Sequence, residues 1–211
     1  MIEVTQQIDA VQREVGTRVL DSGEVRTVTI SQSYRAPIDD LWDACTNPDR
    51  IPRWFLPISG DLRLNGRYQL EGNAAGTIES CDPPRSFRAT WEFGGQLSRI
   101  EVRLTPQGVG GTRLEIEHIM GEENQHWLQF GPGAVGIGWD MALVGLAIYL
   151  ESGADVDREQ SAAWVASEEG RRFMSASGER WRDASVAAGA DAAEASEAAR
   201  RTISAYTAMP G

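Results

Sequence analysis

The sequence predicts an α+β fold in which a curved antiparallel sheet of six to seven strands wraps around one long C-terminal helix, followed by an extra helical extension. Three observations predict it. Between residues 25 and 118, short runs alternate apolar with polar side chains and are separated by Gly, Asn, Asp and Pro, the period of half-buried antiparallel strands. Residues 133–150 are apolar at helical spacing over so much of the circumference that more than one neighbour must cover them. After residue 153 the composition shifts to Ala, Glu and Arg, yet Trp164, Phe173, Trp181, Ile203 and Tyr206 recur, which suits packed helices better than a disordered linker.

The elements follow in order. Ile8, Val11 and Val15 at helical spacing predict a short helix in a leader of residues 1–19, and Asp21-Ser22-Gly23 predicts a turn. Val25–Tyr34 reads as the first strand. Pro37 opens a helix with Asp39 and Asp40 in its first turn, where carboxylates meet the positive end of the helix dipole. Asn47-Pro48 ends it, and a short helical turn leads to Trp54. Asn65-Gly66 predicts a type I′ hairpin between Leu62–Leu64 and Arg67–Leu70. Strands then follow at Thr77–Cys81, Ser86–Phe93, Ile100–Leu104 and Leu114–His118. Phe87, Ala89, Trp91 and Phe93 share one strand face, and Glu101, Glu115 and Glu117 share the wet one. On the long helix, Trp139, Leu143, Leu146 and Leu150 form one stripe; Met141, Val144 and Ile148 form another. The expected organisation is a helical leader (1–19), a ligand-binding domain (20–152) and a helical extension (153–211) docked on the outer stripe of the long helix.

Composition narrows the function. The chain has 211 residues, 41% of them hydrophobic, enough for one domain with a sizeable core. No run of 18 apolar residues and no basic N-terminal region with an apolar segment occurs, so neither a membrane span nor a signal peptide is expected. Cys45 and Cys81 have no zinc or redox spacing, which predicts free thiols in a reducing, cytoplasmic compartment. The net charge of −11 disfavours nucleic acid as a partner. All 20 basic residues are arginine, as in a GC-rich bacterial genome, and without lysine neither Schiff-base chemistry nor a phosphate-loop lysine is available.

Several segments resemble a known family. Trp42-Asp43-Ala44-Cys45-Thr46-Asn47-Pro48 followed by Trp54, Gly76-Thr77-Ile78-Glu79 with Asp82-Pro83-Pro84, Thr90-Trp91-Glu92, Gly111-Thr112-Arg113-Leu114 and Gly138-Trp139 before an apolar helix are, in that order, similar to the Hsp90-ATPase-activator-like (AHSA1-type) branch of the SRPBCC, START or Bet v 1-like helix-grip superfamily. The resemblance covers about residues 25–152. It implies a hydrophobic cavity between sheet and long helix, in a superfamily that includes plant allergen-like carriers, lipid-transfer domains and polyketide cyclases.

Gly131-Pro132-Gly133-Ala134-Val135-Gly136 fits a dinucleotide fingerprint in letters only, since no strand precedes it and none follows the helix; no cofactor is expected. His118 alternates with Leu114 and Ile116 toward the apolar side, where it would orient a ligand carbonyl or serve as a base. The plainer reading, a core histidine satisfied by a backbone partner, is favoured. His126 has no partner at metal spacing. Asp140 reads as part of a solvated helix face, and no catalytic set is evident. The candidate ligand-binding residues are Trp54, Tyr68, Trp91, Phe93, His118, Trp139 and Leu143, with Trp91 facing Trp139 as the central pair. The expected function is binding of an apolar small molecule, lipid-, aromatic- or polyketide-like. The alternatives are a chaperone regulator acting on an Hsp90-type ATPase through an acidic surface, and a cyclase-like or hydrolase-like enzyme using the same cavity.

Overall fold

The computed structural model describes residues 3–20 and 23–208. The order is α1 (Val4–Ala10), β1 (Gln12–Leu20), β2 (Gly23–Tyr34), α2 (Ile38–Thr46), a 3-10 turn (Ile51–Arg53), β3 (Ile58–Gly60), β4 (Arg67–Leu70), β5 (Ala75–Asp82), β6 (Ser86–Phe93), β7 (Gln96–Gln107), β8 (Gly111–Gly121), α3 (Gln125–Phe130), α4 (Gly133–Ser152), α5 (Arg158–Ala166), α6 (Glu168–Ala187) and α7 (Ala192–Thr207). One antiparallel sheet has the order β1-β2-β8-β7-β6-β5-β4-β3, and α4 lies across it. This is the helix-grip fold.

The sheet holds eight strands, not six or seven. The additional strand is β1. The leader is helical only to Ala10, and Gln12–Leu20 pairs along its whole length with β2, from Gln12↔Ser31 to Leu20↔Gly23. Val11 and Val15 therefore belong to no helix. β-branched residues at positions 15, 17 and 19 favour the extended chain, and the hairpin with β2 pairs the backbone groups on its inner side. The expected turn at Asp21-Ser22 lies outside the described residues.

The Asn65-Gly66 hairpin also differs. Asn65 takes a positive φ of 64°, but Leu62–Leu64 forms no strand. The strand before the turn is Ile58–Gly60, with Gly60 opposite Tyr68. Asn65 and Gly66 instead pair through their backbones with Ile78, and the wider loop turns Leu62 inward. The stretch after β8, expected to be loop, contains the short helix α3, capped by the Asn124 side chain on the Trp127 N–H.

The helix α4 is 20 residues long. By length and composition it is apolar enough to cross a membrane, but 67% of its apolar window is buried within the molecule; it is the core helix. One side meets the sheet. On another side α6 covers it, and close approach there depends on a glycine. At Gly136 the Trp181 indole occupies the space that a side chain would need, and Trp181 is fully buried. At the opposite end, Arg50 and Arg53 stack over the Tyr149 ring at 5.3 and 4.8 Å and both donate to its hydroxyl, holding the 3-10 turn to the end of α4.

Asp140 is not on a solvated face. It is 1% exposed and accepts from Arg13 Nη2 at 2.7 Å and Nε at 3.0 Å, from Ser177 Oγ at 2.6 Å and from Trp181 Nε1 at 2.9 Å. Arg13 also donates to the Ile8 and Val11 carbonyls. One carboxylate thus joins α4 to β1, to the end of α1 and to α6. A buried ion pair of this kind survives because each partner's remaining polar atoms are bonded as well. Replacing Asp140 by alanine leaves Arg13 charged and buried without its partner, at a cost of about 3–5 kcal/mol. Urea unfolding of Asp140→Ala should show that loss; a loss below about 1 kcal/mol would show the cluster to be peripheral.

Candidate functional site

Between the concave face of the sheet and α4 lies a cavity of about 130 Å³. Four regions of chain build it. The strands supply alternate residues: Tyr68 and Leu70 from β4, Ile78 and Cys81 from β5, Phe87, Ala89 and Trp91 from β6, Ile100 and Val102 from β7, and Leu114 and Ile116 from β8. This is the period-2 pattern of the sequence turned into one wall. The opposite wall is Trp139 of α4. Cys45 and Thr46 from α2, with Ile51, Trp54, Phe55, Ile58 and Leu62 from the segment that follows, close the rim. Trp54 is fixed by its indole N–H on the Ala44 carbonyl at 2.9 Å, and its backbone carbonyl sits against Gly145, where a side chain would have no room.

Aromatic rings dominate the end near α4. Trp54 stacks on Phe55 at 5.4 Å and 25°, and Phe55 on Trp139 at 6.3 Å and 20°. Trp91 meets Trp139 at 5.1 Å and 52°, so the expected central pair is a contact. Ring faces, rather than ring N–H groups, are what Trp54 and Trp139 offer to the cavity.

The reason lies in a short hydrogen-bond chain behind the wall. Trp139 Nε1–H donates to His118 Nδ1 at 3.1 Å. Nδ1 is therefore the acceptor nitrogen, and the ring proton sits on Nε2, which faces Ser98 Oγ at 2.8 Å. Ser98 Oγ–H in turn donates to the Trp91 carbonyl at 3.1 Å. Every polar atom of the imidazole is used. His118 is 2% exposed, and burial lowers its pKa from 6.5 to about 4. A second proton on the ring would place two N–H groups face to face at Trp139. His118 is thus the core histidine favoured from sequence, with side-chain rather than backbone partners.

Of the seven expected residues, Trp54, Tyr68, Trp91 and Trp139 line the cavity. Three do not. Phe93 is 51% exposed, because β6 ends at the Gly94-Gly95 turn, where Phe93 pairs with Gln96, and the face it shares with Trp91 has by then run past the cavity. Leu143 is fully buried but packs in the core beyond it. His118 is buried beside Trp91 and Trp139, bonded to the Trp139 indole, and is not part of the lining. The sequence reading missed Phe55 and the smaller apolar residues of β5 to β8. Phe87 and Ala89 could have been found from their alternation with Trp91. Phe55 and Leu62, on irregular chain, carried no periodic signal.

Few polar groups remain for chemistry. Tyr68 donates its hydroxyl to the Thr90 carbonyl at 2.7 Å and Thr46 its hydroxyl to the Trp42 carbonyl at 2.7 Å. Burial pushes the Cys45 thiol up to about 12, so it stays protonated and a poor nucleophile. The Trp91 indole N–H makes no hydrogen bond within the described residues, and Trp91 itself is half-buried.

The family model for Activator of Hsp90 ATPase homolog 1-like protein matches residues 35–151, more than half of the chain. The chain belongs to this family. Among solved structures, this Hsp90-activator-like chain is similar to CalU16 from Micromonospora echinospora, at 38% identity over 83% of this chain and 98% of that one, with a TM-score of 0.67 for the crystal structure. The solution structure of CalU16 gives 36% identity, 85% and 97% coverage and a TM-score of 0.71. The likeness to CalU16 thus spans more of the chain than residues 35–151. PFC0360w, an HSP90 activator from Plasmodium falciparum, shares the fold at 19% identity over 61% of this chain and 96% of that one, with a TM-score of 0.51. No curated protein sequence matches the chain.

The depressed pKa of His118 has a measurable consequence. Above pH 6.5 the ring is neutral in both folded and unfolded chains. As pH falls from 6.5 toward 4 the unfolded chain takes up the proton first, so folding stability falls over that window, by on the order of 3 kcal/mol, and levels off below it. Urea unfolding across pH 4–7 should show this slope, and His118→Gln should flatten it. An unchanged slope in the variant would assign it to other groups.

Proposed function

We propose that this chain binds a small, largely apolar ring compound in the cavity between sheet and α4. One observation carries the reading: the space is lined almost wholly by carbon, and the polar groups of Trp54, Tyr68, Thr46 and Trp139 are already bonded to protein. A ligand there gains apolar burial, about 25 cal/mol per Å² before association costs, and stacks on Trp139 and Phe55. A charged or strongly polar ligand would lose its hydration with little in return. The volume suits one ring, since an engineered apolar cavity of about 150 Å³ admits benzene.

Catalysis is not part of the proposal. Both nitrogens of the His118 imidazole are engaged by Trp139 and Ser98, and burial holds the Cys45 thiol protonated. The other titratable or hydroxyl groups of the lining among the described residues are Cys81, Thr46 and Tyr68, and none of them is paired with a base.

Binding of fluorobenzene, followed by 19F NMR, tests the reading directly. Saturable binding is expected in the wild-type chain. Ala89→Phe, which fills the cavity from the centre of β6, should weaken it at least tenfold while the chain stays folded. Equal binding by both would place the probe elsewhere.

A second reading has its own support. The family is named for Hsp90 ATPase activation, and PFC0360w is described as an HSP90 activator. A chain of net charge −11 would then act through its acidic exterior as a regulator of an Hsp90-type ATPase. Hsp90 ATPase turnover with and without the purified chain decides it: stimulation supports the regulator, and unchanged turnover removes it.

A further inference from the structure

The two ends of the sheet are unlike. At one end β3 has three residues. At the other, β1 has nine, in unbroken register with β2 on its inner side, and among the described residues no backbone group pairs with its outer edge. Exposed edges usually carry a proline, a bulge or a shortened strand that discourages pairing. β1 has none of these three, though it carries charges, another such device, among them the inward-pointing Arg13. It has instead a symmetric charge pattern about Gly16, with Glu14 two residues before and Arg18 two residues after.

We propose that β1 is the surface on which a second copy of this chain docks, antiparallel and centred on Gly16. In that register Gly16 faces the partner's Gly16, where absent side chains permit close approach at the two-fold axis. Glu14 then faces the partner's Arg18, and Arg18 the partner's Glu14. Both residues lie on the outer face of the sheet, so opposite residues present their charges on the same side. Within the chain, Arg18 meets Glu117 and Glu101 yet stays 39% exposed, while exposed Glu14 has no ion-pair partner among the described residues. Val19, 84% exposed on the other face, would lie opposite the partner's Arg13 and beside its helical layer. The contact is isologous and closes on itself, giving a dimer rather than a fibre. A single strand pair is a small interface, so the dimer should be reversible and depend on concentration.

Sedimentation velocity of the full chain over a concentration series tests this. The wild type should show a monomer–dimer equilibrium. Glu14→Arg alone, and Arg18→Glu alone, should each raise the dissociation constant at least tenfold, and an equimolar mixture of the two variants should restore it, because each then supplies the charge the other lacks. A second measurement does not depend on Arg18. With Cys81→Ser removing the other exposed thiol, Gly16→Cys should form a disulfide-linked dimer under mild oxidation much faster than Gln12→Cys, which faces the partner's Leu20. A wild type that remains monomeric at every concentration, a mixture that does not recover, or equal cross-linking from both positions overturns the proposal.

Discussion

The buried pair of Arg13 and Asp140 is the constraint on which the rest of the architecture depends. The two residues are 127 positions apart in sequence, with side chains 4% and 0% exposed. A carboxylate in the middle of an apolar helix is tolerable only if charge and hydrogen bonds surround it. The guanidinium comes from β1, which must then be a strand on the edge of the sheet rather than part of a helix. The hydroxyl of Ser177 and the indole of Trp181 come from α6, which must then lie beside α4. Satisfying one buried charge fixes where the leader and the extension sit.

That arrangement in turn leaves α4 free to shape the cavity on its other side. With α6 pressed onto Gly136 and the Trp54 carbonyl onto Gly145, the helix is held along its length. Trp139, the neighbour of Asp140, then faces the sheet. Adjacent residues on one helix perform opposite tasks, because successive positions point about 100° apart: Asp140 gathers polar partners from the flanking elements, and Trp139 presents an aromatic face.

His118 completes the separation of polar from apolar. A tryptophan beside an apolar space must send its N–H somewhere. Here it points into the sheet, where a neutral histidine accepts it and passes the demand through Ser98 to a backbone carbonyl. The cavity is therefore apolar for a structural reason as well as a compositional one. The same geometry explains why a histidine on an apolar strand face need not be a catalytic group.

Much of this was legible in the residues. The alternation along β6, β7 and β8, the Pro-led α2 and the long apolar α4 are local patterns, and each follows from backbone geometry that repeats every two or 3.6 residues. The sequence by itself therefore determined the fold class, the inward face of the central strands and the Trp91–Trp139 contact. What it could not determine were relations set by distance in space. Phe93 shares the parity of Trp91 but falls past the end of the cavity, because strand length and sheet curvature decide where a wall stops. Val11 and Val15 mimic a helical stripe, but Val11 ends α1 in an extended conformation and Val15 pairs with Val28 of β2. Asp140 looks like a solvated charge until Arg13, Ser177 and Trp181 are brought around it. Periodicity is written into the chain by local sterics, whereas the partner of a buried polar group is selected by the packing of segments far apart in sequence, and that selection was made by the tertiary structure alone.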